Sequence, residues 1–570
     1  MMMSTNTGAD VSIVLAGQAG QGIETIESVL VRIVKHACYN VFATKEYMSR
    51  VRLGGNSTEI RIAHDRKVNC YVNRIDVLVA LEKFSLERLT PRIDASTIVF
   101  CDASVFTGSG KFIEVPFAAM AEEVGGKIFT NTIAIGVICG ILGINQDLAA
   151  GHVRDEFSDK KEDIIQKNMV ALEKGLEFGK SLADNGEVNF AISTDVCVAD
   201  QILVNGAEAI ALGAIAGGCN FIASYPMSPS TAVLSSLAEK SMTFDIIAEQ
   251  AEDEIAAINM ALGAWYTGAR GMVTTSGGGF ALMCEGVSLA GMIESPIVIH
   301  VGQRPGPATG LPTRTEQGDL NMVLYAGHGV FPRIVLAPGT IEDGFYVTQK
   351  AFNLADKYQV PVFILSDQYY IDSYYNIEPF NLDDLNNESF VAQTTKEYKR
   401  YAITENGISP RGIPGNGDGF VLVDSDEHDE EGHITEDFNV RTAMVDKRLR
   451  KLPGFTYDMI LPRFSGNSDY KTLVVSWGST CNAISEALSA IADDTIAHLH
   501  FTQVYPLFPG TKKYLDDADK IILIEGNASA QLGQLIREQL LVDIQNKILK
   551  YSGEPFHVEE LVARIKEEAM

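Results

Sequence analysis

Short, wholly apolar runs recur along the chain, each followed by a Gly-, Ser- or Pro-rich corner and then by a longer apolar stretch at helical spacing. The first case is "VSIVLAGQAGQGIETIESVLVRIVKHACYNVFA". It predicts a strand from Val11 to Ala16, a turn carrying Gly17, Gly20 and Gly22, a helix to about Cys38, and a strand from Val41. An apolar run without alternation is a strand covered on both faces, so this β-α-β reading implies a parallel sheet. "NRIDVLVALEKFS" and "ASTIVFCDASV" add buried strands, and "NTIAIGVICGILG" an apolar helix. A polar stretch, "SLADNGEVNFAISTD", then breaks the pattern.

The alternation resumes near Gln201. "QILVNGAEAIALGAIAGG" predicts a helix, "NFIASYP" and "FDIIAEQ" strands, and "AEDEIAAINMALGAWYTG" a helix. "RGMVTTSGGGF" follows as a strand with a glycine loop, then "SPIVIHVGQR" and "VPVFILSDQYY" as strands. Residues 381–465 lose the pattern and include the acidic run "DSDEHDEEGHITED". From 466 to 570 it returns with "TLVVSWG", "IAHLHFTQ" and "KIILIEGN" as strands, and "HVEELVARIKEEAM" as a closing helix. The expected fold class is α/β, with several doubly wound domains at 1–185, 200–380 and 466–570 and an irregular acidic excursion at 381–465.

Composition narrows the partners. Of 570 residues, 74 are acidic and 46 basic, a net charge of −28, which argues against nucleic acid or an anionic membrane as the main partner. No apolar run reaches the length of a membrane span, and the polar start has no signal-peptide pattern. The eight cysteines are scattered and form no C-x-x-C, so the chain itself offers no sequence-local zinc or iron–sulfur site, and no metal ligand is assigned to it. Single cysteines of this kind fit the reducing cytoplasm.

Ligands of open α/β sheets bind at the carboxyl ends of the strands. Three stretches fall at such ends. In "YPMSPST", Pro226 and Pro229 hold Ser228 in one direction, and Ser230 or Thr231 suits the N-cap of the following helix. "TTSGGGF" places Ser276 and Gly277 where a ligand could approach backbone. "GQRPGPATGLPTRTEQGD" presents Arg304 and Arg314, the residue type for bidentate carboxylate binding. A fourth feature is Glu254, which opens a helix on the side of Ile255, Ile258 and Leu262, where an inward carboxyl would be desolvated.

Taken in order, "GAEAIALGAIAGGCNFIASYPMSPST", "QAEDEIAAINMALGA", "TTSGGGFALMCEGVSLAGMIESPIVI" and "VGQRPGPATGLPTRTEQGDL" resemble the alpha subunit of 2-oxoacid:ferredoxin oxidoreductases, the 2-oxoglutarate type with a gamma domain fused at the N-terminus. "GQAGQGIET" with "SRVRLGGNSTEIRI" resembles that gamma domain. The resemblance implies a gamma-type domain over 1–185, a thiamine diphosphate pyrimidine-binding domain over 200–380 and a transketolase C-terminal-like domain over 466–570. It implies oxidative decarboxylation of a 2-oxo acid, or the reverse carboxylation that fixes CO2, with coenzyme A taking the acyl group and ferredoxin the electrons. Glu254 would face the aminopyrimidine. Tyr225, Pro226, Ser228, Ser276 and Gly277 would touch the cofactor, while Ser228 and Arg304 would act on the substrate and Arg314 would meet a distal carboxylate. The family form of the first stretch has isoleucine and threonine where this chain has Met227 and Ser228.

The chain lacks a cluster motif and a diphosphate–magnesium motif; "GNGDGF" at 415–420 reads as a turn. The [4Fe-4S] cluster, Mg2+ and the diphosphate half of the site are therefore expected on a separate beta subunit, in an alpha2beta2 assembly. Two further readings stand beside this one: a pyruvate or branched-chain 2-oxoacid enzyme subunit, and a non-catalytic nucleotide-binding assembly protein on the same folds.

Overall fold

The computed structural model describes residues 10–18, 23–47, 55–108, 110–188, 190, 192–383 and 385–569. Gly20, Gly22 and positions 49–54 of the N-terminal motifs lie outside the described residues. The chain forms two compact units, one of residues 1–205, 372–379 and 557–559, the other of 206–371, 380–556 and 560–570.

The first unit holds an eight-stranded sheet. Strands Lys111–Glu114, Ile98–Cys101, Val77–Ala80 and Asp10–Gln18 run parallel. The expected all-parallel β-α-β does not continue beyond them: Gly55–Ala63 inserts antiparallel between Asp10–Gln18 and Asn40–Glu46. The helix Ile23–His36 does cross between two like-directed strands, but they are second neighbours. Residues Ile202–Asn205, expected as the start of a helix, form the last strand, paired with Tyr374–Ile377. Their β-branched, partly covered pattern favours a strand, and the helix begins only at Gly206. The apolar helix Thr130–Ile141 packs backbone to backbone on Glu162–Asp184. A Cβ at Gly136 would sit 2.5 Å from the Leu172 carbonyl, and one at Gly179 would sit 2.1 Å from that of Val137. No single helix among the described residues is long and apolar enough to cross a membrane.

The second unit carries two sheets. In the larger, the order is Gln503–Tyr505, Ile334–Leu336, Pro361–Asp367, Ile297–Gln303, Gly271–Thr275, Phe221–Ser224, Ile247–Gln250, parallel except for the first strand. After Phe221–Ser224 the chain moves outward to Ile247–Gln250, then returns to the other side with Gly271–Thr275. The reversal opens a crevice at the carboxyl ends of Phe221–Ser224 and Gly271–Thr275. The smaller sheet has four parallel strands, Ile496–Phe501, Thr472–Trp477, Lys520–Glu525 and Asn546–Leu549, with Arg463–Ser465 antiparallel at its edge.

Residues 381–465 are mostly irregular apart from the helix Phe438–Leu449, a 3-10 turn at Leu452–Tyr457 and the edge strand Arg463–Ser465. Few apolar side chains anchor them, and charge does much of the holding. Glu294 is buried, with Lys447 at 2.5 Å and Lys451 at 2.7 Å on its two oxygens. Arg400 donates to the Glu294 carbonyl at 2.8 Å, and Arg411 pairs with buried Asp356 at 2.6 Å. Burial alone would raise the Glu294 pKa, but the three cations outweigh it and hold the carboxyl well below its ordinary range. The Gly-Asp-Gly stretch is a turn tied to Thr394, whose carbonyl accepts from Asp418 N at 2.9 Å.

Candidate functional site

Four loops converge at the crevice, each leaving the carboxyl end of a neighbouring parallel strand. They are residues 225–230, 251–253, 276 and 304–319. This convergence follows from the order of the strands and needs no special property of the loops.

Glu254 begins the helix Glu254–Tyr266, which Asp253 caps by accepting from Ala256 N at 2.7 Å. With Asp253 taking the cap, Glu254 is free to turn inward, and it is only 3% exposed. Its Oε1 has no hydrogen-bond partner. That atom lies over Gly279, where an added Cβ would come within 2.4 Å of it and 2.2 Å of Thr275 Oγ1. A buried carboxyl oxygen with no partner costs about 1–3 kcal/mol or more, so a missing partner is the natural explanation.

Gly277–Gly279, expected as an open loop, form the first turn of a short helix, Gly277–Leu282. Three glycines cost roughly 1 kcal/mol each in a helix, so packing selects them here, not propensity. Gly277 faces Asp319, whose two oxygens would both lie 2.5 Å from a Cβ. Ser276, fully buried at the N-cap, makes no capping bond, and its Oγ is also without a partner. The crevice is thus lined by three unpartnered polar atoms, Glu254 Oε1, Ser276 Oγ and Asp319 Oδ2.

Ser228 and Arg304 meet through the main chain. Arg304 Nη1 donates to the Ser228 main-chain carbonyl at 2.6 Å, while the Ser228 side chain is exposed. Tyr225 is exposed and Pro226 half-buried on the same rim. Ser230 does not cap its helix through its side chain; its Oγ turns back to the Met227 carbonyl at 2.7 Å. Arg314 lies farther along, with its stem against Gly553 and its backbone N bonded to the Leu311 carbonyl.

Two residues were not picked out by the sequence. His300, fully buried in the strand Ile297–Gln303, bridges Thr274 Oγ1 at 2.6 Å and Ser366 Oγ at 2.8 Å. Burial lowers its pKa to about 3, so it is neutral and ties three adjacent strands together. A lone histidine inside "IVIHVGQ" was the available signal. The other is Asp319, whose backbone N donates to Gln303 Oε1 at 3.0 Å. Burial raises its pKa to about 6, Glu316 adds to the rise, and Arg304 opposes it.

Residues 212–447 match the family "Pyruvate flavodoxin/ferredoxin oxidoreductase, thiamine diP-bdg", and residues 12–178 match "Pyruvate ferredoxin/flavodoxin oxidoreductase". The class is thereby defined: a subunit of an α/β oxidoreductase with a thiamine diphosphate-binding domain. A 2-oxoacid:ferredoxin oxidoreductase subunit alpha from Sulfolobus sp is 32% identical, over 96% of this chain and 95% of the relative. The 2-oxoglutarate oxidoreductase subunit KorA of Mycobacterium tuberculosis is 27% identical, over 97% and 90%. A solved 2-oxoglutarate:ferredoxin oxidoreductase from Magnetococcus marinus, with 2-oxoglutarate, coenzyme A and succinyl-CoA bound, superposes with a TM-score of 0.91 at 28% identity, covering 99% of this chain and 100% of that one. The chain belongs to the family of 2-oxoacid:ferredoxin oxidoreductase alpha subunits.

Proposed function

We propose that this chain is the alpha subunit of a cytoplasmic 2-oxoglutarate:ferredoxin oxidoreductase. It would interconvert 2-oxo acid and coenzyme A with acyl-CoA and CO2, reducing ferredoxin in the oxidative direction. The observation that carries the reading is the buried, unpartnered Glu254 Oε1 over Gly279, in a chain aligned along nearly all of its family relatives.

The residues fit the aminopyrimidine half of thiamine diphosphate. Glu254 would hold a ring nitrogen, and Ser276 and Gly277 would line the cradle that the missing Cβ atoms leave open. When bound, thiamine diphosphate supplies the electron sink for breaking the bond to the departing carboxylate. Glu254 holds and returns a proton at the buried Oε1, the work of a general acid–base. Arg304 orients the substrate carboxylate, braced by the Ser228 carbonyl. Tyr225, Pro226 and Ser228 form the rim that limits water, and Arg314 is the candidate for the distal carboxylate.

A beta subunit would supply Mg2+, the diphosphate contacts and a [4Fe-4S] cluster, in an alpha2beta2 assembly. Within this chain we assign 1–185 as gamma-type, 200–380 as pyrimidine-binding, 381–465 as a strap and 466–570 as transketolase C-terminal-like. The test is co-expression with the partner subunit, followed by turnover of a panel of 2-oxo acids with coenzyme A and an electron acceptor. The complex should absorb near ~400 nm and prefer 2-oxoglutarate. A colourless complex that turns over no 2-oxo acid would refute the reading.

A further inference from the structure

Residues 304–319, which carry Arg304 and Arg314, contain no helix or strand and are rich in proline and glycine. A segment of this kind holds a side chain to a fixed geometry only where bonds from outside tie it down. Arg304 leaves the end of the strand Ile297–Gln303 and is bonded to the Ser228 carbonyl. Arg314 sits mid-loop, and its place follows from where the backbone around it is tied. Thr315 N donates to the Gly553 carbonyl at 3.1 Å, and the Gly318 carbonyl accepts from Gln531 Nε2 at 2.8 Å. Thr315 Oγ1 also accepts from Tyr369 N at 3.2 Å.

Gln317, only 2% exposed, makes three such bonds. Its N–H donates to the Gly526 carbonyl at 2.7 Å, its Oε1 accepts from Gly526 N at 2.8 Å, and its Nε2 donates to the Trp477 carbonyl at 2.8 Å. Those two partners mark a particular place in the smaller sheet. From Thr472–Trp477 the chain moves to Ile496–Phe501 on one side, then returns to the other side with Lys520–Glu525. The reversal opens a second crevice at the carboxyl ends of Thr472–Trp477 and Lys520–Glu525, the kind of place where open α/β sheets bind ligands. Here the Gln317 amide fills it. Glycine on both walls makes the room: a Cβ at Gly478 would lie 2.7 Å from Gln317 Nε2, and one at Gly526 would lie 3.3 Å from Oε1.

We propose that Gln317 is a positioning residue for substrate specificity: docked in the crevice of the smaller sheet, it sets where Arg314 stands relative to Arg304. The inference rests on the assignment of Arg314 to the distal carboxylate.

A 2-oxo acid with two carboxylates has to be met at two points a fixed distance apart. One point, Arg304, is set by its strand and by Ser228. The other is set by the smaller sheet, because Arg314 lies three residues before Gln317 and a Cβ at Gly553 would lie 3.1 Å from Arg314 Cβ. Freeing the Gln317 amide therefore loosens the second point and leaves the first in place. A displacement of the order of 1 Å is enough to lose a directed contact. Gln317 carries no charge, so its effect is one of placement.

The experiment is kcat/KM for 2-oxoglutarate and for pyruvate, on the complex with its partner subunit. The variants are Gln317→Met, Gly526→Ala, Arg314→Ala and the double variant Gln317→Met with Arg314→Ala. Methionine fills the crevice but makes neither amide bond. Gln317→Met should cut kcat/KM for 2-oxoglutarate about tenfold, mainly through KM, and leave pyruvate within about twofold. Gly526→Ala crowds the same amide from the other wall and should move the ratio of the two substrates in the same direction by less; it decides the matter if Gln317→Met does not assemble. In the Arg314→Ala background, Gln317→Met should change the ratio no further. A merely structural role would lower both substrates together. An unchanged ratio in Gln317→Met, or a full further drop of the ratio in the double variant, would overturn the inference while leaving the functional reading standing. An unchanged ratio in Arg314→Ala would overturn the assignment of Arg314 and the inference with it. Failure of the wild-type complex to turn over any 2-oxo acid would overturn the functional reading itself.

Discussion

Arg304 donates through Nη1 to the main-chain carbonyl of Ser228 at 2.6 Å, so a single hydrogen bond joins the loops that leave two strands of the same sheet. The bond uses one of five guanidinium N–H groups and leaves the others for a ligand. Lysine at this position could satisfy the carbonyl or a carboxylate, but could not hold both in a planar fork. In Arg304→Lys we expect kcat/KM for 2-oxo acids to fall about 10–100-fold, with KM rising and kcat falling, since the carboxylate held is the one that leaves. Steady-state kinetics on the complex check this, and an unchanged kcat/KM would remove Arg304 from substrate binding.

Glu254→Gln keeps the shape of the side chain and removes its proton exchange. Turnover should drop at least ~100-fold, the lower range for a general acid–base group. The melting temperature should stay within a few degrees of wild type, because Oε1 makes no bond within the fold that could be lost. Near-normal turnover would exclude Glu254 from the chemistry.

Gly279→Ala tests the cradle from the other side. The added methyl would lie 2.4 Å from Glu254 Oε1 and 2.2 Å from Thr275 Oγ1, and neither buried group has room to retreat. Glu254 should be displaced, and thiamine diphosphate affinity should weaken about tenfold or more. Titrating the cofactor into cofactor-free complex by fluorescence quenching measures it directly. An unchanged dissociation constant would place the cofactor elsewhere.

Much of this site was legible because local chemistry wrote it. The Val- and Ile-rich runs mark the strands, and the corners after them fall at carboxyl ends whatever the strand order. Ser228, Glu254 and Arg304 could be found that way. What escaped depends on residues far apart in the chain. Gly55–Ala63 enters its sheet antiparallel because of partners on both sides, not because of its composition. The triplet needs glycine because a Cβ at Gly279 or Gly277 would meet Glu254 or Asp319, which come from other elements. Asp319 resembles any loop acid until Gln303 and Gly277 are placed around it. The contact between Arg304 and Ser228 was not legible, because it uses the Ser228 main-chain carbonyl, which every residue type carries.

Glu294 makes the strap's attachment testable through stability. Removing its charge in Glu294→Gln leaves Lys447, Lys451 and Arg400 facing a neutral amide in a buried site, and we expect a loss of about 3–5 kcal/mol. Acid gives the same test without mutation. The Glu294 pKa is depressed on folding, so its contribution is complete above the ordinary glutamate value of 4.5 and declines as pH falls below it. Urea unfolding at pH 7 and at pH 4 should show a smaller difference in Glu294→Gln than in wild type. An equal difference would mean that other carboxylates govern the acid sensitivity.

Arg314 separates one 2-oxo acid from another. It sits ten residues beyond Arg304 in the same loop, beside Gly553, and so does not share the Ser228 contact. A substrate with one carboxylate needs only Arg304, whereas 2-oxoglutarate carries a second carboxylate at the far end of its chain, which must be met by a cation or remain hydrated. If Arg314 meets it, Arg314→Ala should cut kcat/KM for 2-oxoglutarate about tenfold or more, the scale of one charge-assisted hydrogen bond, and leave pyruvate within about twofold. Loss of general folding would lower both substrates together, so the ratio is the informative quantity. Equal losses would assign the distal carboxylate to another residue, and the preference for 2-oxoglutarate would then have to arise on the partner subunit or in the shape of the pocket around Met227.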